Sequence, residues 1–333
     1  MRRTAQIGTA LGVGLAARGA GQRVRALDLG GRTALVTGGS RGLGFALCDE
    51  LAARGARIVT CARGAEQLER ARRRLEANGA EVLAIPCDVA EADQVSELVN
   101  EATDRFGPIE VLVNNAGVIT VGPLATQTVD DFEEMMAIHL GGLVNCTFAV
   151  LPMMLERGGG RIANVTSIGG KISAPWLLPY NTAKFAAVGF SEGLRAELAG
   201  TGVRVTTIVP GLMRTGSSVA ALFKGDRAEL EYALFATVAS TPGATVSGDR
   251  AARRIVTAVR RGETEVTIGL PAKLAARANG LAPGLVADAL GVVTRLLPDN
   301  EGTGRRSGAE IDSRVDRSPL TALGRRAAKR LNQ

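Results

Sequence analysis

Thr33-Ala34-Leu35-Val36-Thr37-Gly38-Gly39-Ser40-Arg41-Gly42-Leu43-Gly44 decides how this chain is read. Its first five residues are short, apolar and β-branched, the pattern of a buried strand. The glycines that follow permit a tight turn and a close backbone approach. Residues 45–54 then read as a helix with Phe45, Leu47, Leu51 and Ala52 as packing positions. Strand, glycine-rich turn and helix together make a dinucleotide-phosphate site, because the helix N-terminus attracts the diphosphate. The candidate contacts are Gly38, Ser40, Arg41, Gly42, Leu43 and Gly44. Their spacing is Gly-x-x-x-Gly-x-Gly rather than the commoner Gly-x-Gly-x-x-Gly.

Arg57-Ile58-Val59-Thr60-Cys61 reads as the second strand. An NAD site would place an acid near its end, on the ribose 2′-hydroxyl. Positions 58–63 hold none and end in Ala62-Arg63. A guanidinium suits a phosphate fork. Arg41 and Arg63 therefore predict a clamp on a 2′-phosphate, and the cofactor is predicted to be NADP(H).

Further along stands Tyr180-Asn181-Thr182-Ala183-Lys184, with Ser167 upstream. Residues four apart on a helix share a face. A neighbouring ammonium lowers the pKa of a phenol, so the pair predicts a proton donor or acceptor near neutral pH. Ser167 can supply a hydroxyl to the same substrate oxygen.

With these features in order, the chain resembles the short-chain dehydrogenase/reductase superfamily. Thr37-Gly38-x-x-x-Gly42-x-Gly44 is similar to its cofactor motif. Cys87-Asp88-Val89 resembles its Asp-Val element. Asn114-Asn115-Ala116-Gly117 resembles its Asn-Asn-Ala-Gly motif after a fourth strand at 110–113. Ser167 closes a fifth strand at 161–166. Pro210-Gly211-Leu212-Met213-Arg214-Thr215 follows a sixth strand at 203–209. The resemblance spans 29–270. It implies an α/β fold, a single Rossmann-type doubly wound parallel sheet of seven strands in order 3-2-1-4-5-6-7, with helices on both faces.

The resemblance also implies roles. Tyr180 is the general acid in carbonyl reduction and the base in alcohol oxidation. Ser167 bonds the reacting oxygen. Lys184 binds the nicotinamide ribose and depresses the tyrosine pKa. Asp88 and Val89 meet the adenine side, and Asn115, Ala116 and Gly117 line the cofactor cleft. Pro210, Gly211, Met213 and Thr215 hold the carboxamide. One position departs from the pattern. The family places a water-holding asparagine where this chain has His139, its only histidine. Neutral imidazole can still order a water, and it adds a titratable group near the proton path.

Aromatic residues make up only 3% of the chain, which leaves no stacking platform for nucleic-acid bases. Cys48, Cys61, Cys87 and Cys146 form no Cys-x-x-Cys pair, and with one histidine no metal site is expected. Reduced thiols fit a cytoplasmic protein. The net charge of +7 is concentrated at the ends. Residues 1–28 read as a flexible basic extension, 29–270 as the catalytic domain, 271–298 as an amphipathic helical extension and 299–333 as a polar, disordered basic tail. Leu285, Ala289, Val293 and Leu297 step by four, which gives the third segment an apolar face to bury. Residues 320–331 read as a short basic helix.

The stretch 212–246 matches the family's substrate lid. Met213, Leu222, Phe223, Leu230, Tyr232, Leu234 and Phe235 give it an apolar cast. A small apolar ketone or alcohol is the expected substrate: an acyl, polyketide, steroid-like or terpenoid carbonyl. The family pairs the helices that here carry His139 and Tyr180, so a homodimer or homotetramer is expected. Two alternatives stand beside this reading: a membrane-peripheral enzyme acting on lipids, and a non-catalytic nucleotide-binding regulator.

Overall fold

A computed structural model describes residues 26–311, 318 and 321–333. Seven strands form one parallel sheet. They are β1 (Thr33–Thr37), β2 (Arg57–Ala62), β3 (Val82–Pro86), β4 (Ile109–Asn114), β5 (Gly160–Val165), β6 (Val203–Pro210) and β7 (Glu265–Ile268). Their spatial order is 3-2-1-4-5-6-7, as expected. β1, β4 and β5 are buried along almost their whole length, and β1 accordingly reads as a near-continuous apolar run rather than an alternating one.

Helices cover both faces. On one lie α1 (Gly42–Ala52) and α8 (Gly248–Arg261), whose Leu47, Leu51, Ile255 and Val259 pack with Val36, Val111 and Ile208. On the other lie α3 (Ala92–Phe106) and α5 (Gly142–Glu156), whose Leu98, Cys146, Val150 and Met154 pack with Leu35, Leu112 and Ile162. α2 (Ala65–Ala77) joins β2 to β3, and α6 (Leu178–Glu197) joins β5 to β6. All four cysteines are buried and unpaired. α1 begins at Gly42, three residues earlier than residues 45–54 suggested, because the turn's last glycines already have helical hydrogen bonds.

Between β4 and β5 the helix α4 (Val129–Met136) runs into α5 through one π-turn, Ala137–Gly141. π-turns often mark functional positions, and this one carries His139. By length and composition alone, Val129–Glu156 would cross a membrane. Its buried Leu143, Cys146, Val150 and Met154 instead pack into the core. Phe148 and Leu155 on α5 and Phe185 on α6 remain exposed.

The lid is built around α7 (Ala228–Ser240) and the strand Leu222–Lys224. Phe223, Tyr232 and Phe235 meet edge-on beneath it. Lys224 is fully buried and pairs with Asp131 at 2.5 Å. Burial works against the Asp131 carboxylate, but bonds from Lys224 and Thr128 outweigh it and lower its pKa. The pair pins the lid to the first turn of α4. Trp176, at the other edge of the same cluster, takes a left-handed backbone conformation with φ 64°. That conformation costs a bulky residue about 1–3 kcal/mol.

The C-terminal third departs from expectation in two ways. Residues 271–298 form two helices, α9 (Leu270–Leu281) and α10 (Pro283–Leu296), because Pro283 starts a second helix. Their apolar side chains are not buried: Leu281 is 88% exposed, Leu285 73% and Leu296 80%.

The second departure is in 299–333. Its polar composition suggested disorder, yet its described residues are built into the fold. Arg305–Ser307 pairs antiparallel with the lid strand. Asn300 is buried and bonds Lys224 O and Glu231. α11 (Ala322–Arg330) packs near the lid helix, and Leu331 is buried. Polarity misled here because several polar side chains, Asn300, Arg305, Arg325 and Asn332 among them, have partners within the fold. The expected basic extension falls on residues outside those described, apart from its last few. There Leu27 N–H donates to Arg260 O at 2.9 Å.

Candidate active site

The glycine turn leaves β1 at Thr37 and enters α1 at Gly42. Gly38 has φ 67°, and a Cβ there would come within 2.8 Å of Ala116 Cα. At Gly44 a Cβ would strike Gly38 O and lie 2.6 Å from Asn115 Nδ2. Both positions therefore require glycine. Asn115 Nδ2 donates to Thr37 O at 2.9 Å, and Thr37 Oγ1 accepts from the backbone N–H of Asn115 and Ala116. The Asn115 carboxamide thus braces the turn against the end of β4 rather than facing the cleft. Gly117 lies under the His139 ring, where a Cβ would come 2.5 Å from Cε1.

Arg41 and Arg63 are close enough to repel. Burial first, and the Arg63 charge second, lower the Arg41 pKa. Arg63 lies 3.8 Å from Asp88, whose other oxygen accepts from Ala90 N–H at 3.1 Å. Two guanidiniums face one region with no acid from β2 between them, a donor set that fits a phosphate.

Ser167 follows β5 in extended conformation, and its Oγ accepts from Gly169 N–H at 3.0 Å. Tyr180 is on the first turn of α6, and its ring and Ser167 Oγ both flank Gly169, 3.3 and 3.4 Å from where a Cβ on that glycine would stand. Lys184, one turn on, places Nζ 5.7 Å from the Tyr180 ring centre. The three predicted groups converge. Burial raises the Tyr180 pKa, and the neighbouring Ser167 hydroxyl partly offsets it. Lys184 Nζ donates to Val165 O at 2.9 Å. Burial pushes the lysine's own pKa down to about 7.

Residues 32–222 match the family model for short chain dehydrogenases. The chain belongs to the short-chain dehydrogenase/reductase family. It is 37% identical over 185 residues to a 3-oxoacyl-[acyl-carrier-protein] reductase of Synechocystis sp., covering 55% of this chain and 75% of that one. Its fold is similar to a gluconate 5-dehydrogenase from Burkholderia cenocepacia in complex with NADP and tartrate. That match has TM-score 0.64 at 30% identity, over 74% of this chain and 96% of the other. A short chain dehydrogenase/reductase from Burkholderia phymatum in complex with NAD matches with TM-score 0.72 at 25% identity, over 78% and 96% of the two chains. The protein is thus an oxidoreductase of this family, and its neighbours bind NADP or NAD.

Within this dehydrogenase fold, His139 is buried 5.3 Å from the Tyr180 ring, edge-on. Nε2 is 2.8 Å from Val118 O, so that nitrogen carries the proton and Nδ1 offers a lone pair. Burial, then the Lys184 charge, hold the imidazole pKa well below its usual value. Both causes favour the neutral imidazole at His139. Its Nδ1 and Asn114 Oδ1 are buried without partners. Both line a cavity of about 10 Å³ that Lys184 and Thr37 also border. That is the room one water needs. Asn114 was not singled out from sequence. Its Nδ2 bonds Thr147 and Asn164, and the chain continues through Ser191 to Thr207. Only a fold that aligns these strands makes that network visible.

Gly211 N–H donates to Ile268 O, and a Cβ there would meet Ala272. Thr215 is buried, and Met213–Arg214 pairs with Val246–Ser247. One contact to this dehydrogenase site was absent from the sequence reading altogether. The tail reaches the glycine turn: Gly42 N–H donates to Leu331 O at 2.8 Å, and Gln333 Nε2 donates to Thr215 O at 3.3 Å.

A lysine whose pKa falls from 10.5 unfolded to about 7 folded costs stability wherever the unfolded chain keeps its proton, and the cost shrinks over the range where the folded chain has already lost it. The cost is full below pH ~7 and fades as pH rises toward ~10.5. Lys184→Met removes it. The difference in Tm, variant minus wild type, should be larger at pH 7 than at pH 10. An equal difference at both pH values would refute the assigned cause.

Proposed function

We propose that the chain is an NADP(H)-dependent reductase that interconverts a ketone and a secondary alcohol. The observation that carries this reading is the convergence of Ser167, Tyr180 and Lys184 at the carboxyl end of the sheet, where Ser167 and Tyr180 both flank Gly169 and Lys184 Nζ lies 5.7 Å from the Tyr180 ring centre. Ser167 orients the substrate oxygen and Tyr180 delivers its proton. When bound, NADPH supplies the hydride. Lys184 would hold the ribose hydroxyls and would stabilise the phenolate that forms. A water held by His139 Nδ1 and Asn114 Oδ1 connects Lys184 to solvent. Arg41 and Arg63 grip the 2′-phosphate, which relieves their mutual repulsion. Asp88 and Val89 meet the adenine side, Gly117 leaves the cleft open, and Met213 with Thr215 holds the carboxamide below Pro210-Gly211.

An apolar carbonyl is supported by the lid, where Phe223, Tyr232 and Phe235 form one cluster. The similarity to a 3-oxoacyl reductase points to an acyl chain. The exposed Phe148 and Phe185 support a homo-oligomer through α5 and α6. One observation favours a second reading, an enzyme that rests on a lipid surface. The hairpin α9–α10 exposes Leu274, Leu281, Leu285 and Leu296 and carries Lys273, Arg277 and Arg295. It lies beside the site, with Asn279 donating to Lys171 O at 2.8 Å. Apolar and basic residues together suit an anionic membrane.

Three outcomes are expected. In NADPH oxidation with a panel of ketones, Tyr180→Phe should lower kcat/KM by about 10²–10⁴-fold; unchanged turnover would overturn the mechanism. Arg41→Ala with Arg63→Ala should raise KM for NADPH about 10–100-fold and leave KM for NADH nearly unchanged. Equal losses for both would reject the 2′-phosphate clamp. The full chain should float with anionic liposomes, and Leu281→Asp with Leu285→Asp should abolish flotation. If neither floats, the lipid reading fails and α9–α10 is left to contacts with protein.

A further inference from the structure

We propose that the C-terminal segment 321–333 competes with the cofactor diphosphate for the glycine turn, so that the free enzyme is self-occluded and cofactor binding displaces the tail. This rests on the dinucleotide reading of that turn. A helix N-terminus offers its first N–H groups to an anion. Here the first of them, Gly42 N–H, is already taken by the peptide carbonyl of Leu331. Gln333 bridges the gap beside it. Its Nε2 donates to Thr215 O and would lie 3.2 Å from a Cβ on Gly42, and its Cγ would lie 2.9 Å from a Cβ on Gly216. The glycine turn and Thr215 are the two segments assigned to the cofactor, and one tail residue spans them.

The tail is anchored on the outer side of the turn. Asn332 Nδ2 donates to Ser40 O at 2.6 Å and to Gln67 O at 3.2 Å, while Gln67 Nε2 donates back to Asn332 O at 3.0 Å. Arg74 donates to Arg330 O at 2.7 Å, and Arg330 pairs with Asp249. Leu331 is seated over Gly248 at the start of α8, where no Cβ blocks it. These contacts are specific, yet the docking is incomplete. A cavity of about 160 Å³ flanks α11, lined by Gly216, Tyr232, Ser240 and Arg325 among others. A neutral carbonyl on the helix N-terminus is a weaker ligand than a doubly charged diphosphate. The geometry therefore describes a displaceable occupant.

Binding to a form present as only a fraction of molecules weakens the apparent affinity by that fraction. Asn332→Ala with Gln333→Ala removes half-exposed side chains and leaves Leu331 in place, so folding is retained. By calorimetric titration the pair should bind NADPH about tenfold more tightly than the wild type. Leu331→Ala should act in the same direction. Saturating NADPH should also speed tryptic release of tail peptides at the exposed Arg325, Arg326, Lys329 and Arg330, followed by mass spectrometry. Unchanged or weaker NADPH binding in the variants, or tail cleavage slowed by NADPH, overturns the proposal and leaves the cofactor reading intact. Failure of every form to bind either NADPH or NADH overturns both.

Discussion

Seven parallel strands bring every carboxyl end to one edge of the sheet, and everything chemical in this chain is gathered there. Thr37 ends β1, Asn114 ends β4, Ser167 follows β5 and Pro210 ends β6. The strand order reverses between β1 and β4, so helices diverge to opposite faces and open a crevice at that point. The glycine turn is the first consequence. A side chain at Gly38 or Gly44 would collide with the neighbouring strand's exit loop. The site is thus a by-product of how a parallel sheet must be wound, refined by residues small enough to let two loops touch.

The same edge is also poor in charge. Lys184 is buried with the Val165 carbonyl and the Tyr180 ring beside it, and Tyr180 packs edge-on against His139. Low polarity makes any charge that arrives there more effective, and it makes the resting state prefer neutral groups. His139 obeys the same logic, since burial holds it neutral and fixes which nitrogen can accept a bond.

The strands, the glycine turn and the Tyr-x-x-x-Lys pair were legible in the sequence because each rests on local pattern: β-branched runs, glycine spacing and a four-residue helical step. The strand order and the place of Ser167 came from the family resemblance. What was not legible depends on distant partners. Asn114, Asn164, Ser191 and Thr207 are single polar residues in four separate elements, and only their alignment makes them a network. Asn115 matches a motif yet spends its carboxamide on the turn. The polar residues after 299 resemble a solvated tail until Asn300 and the strand Arg305–Ser307 meet the lid. Conversely, the periodicity of α10 foretold an apolar face, which within this chain lies exposed, because periodicity says which side is apolar and not what covers it.

Trp176 holds a left-handed backbone in the loop that leads into Tyr180, against the aromatic cluster beneath the lid. It is the chain's single tryptophan. Its indole is therefore a built-in optical reporter at the mouth of the catalytic pocket. Emission colour and quenching follow lid and loop without any label, and every change in the signal has one address.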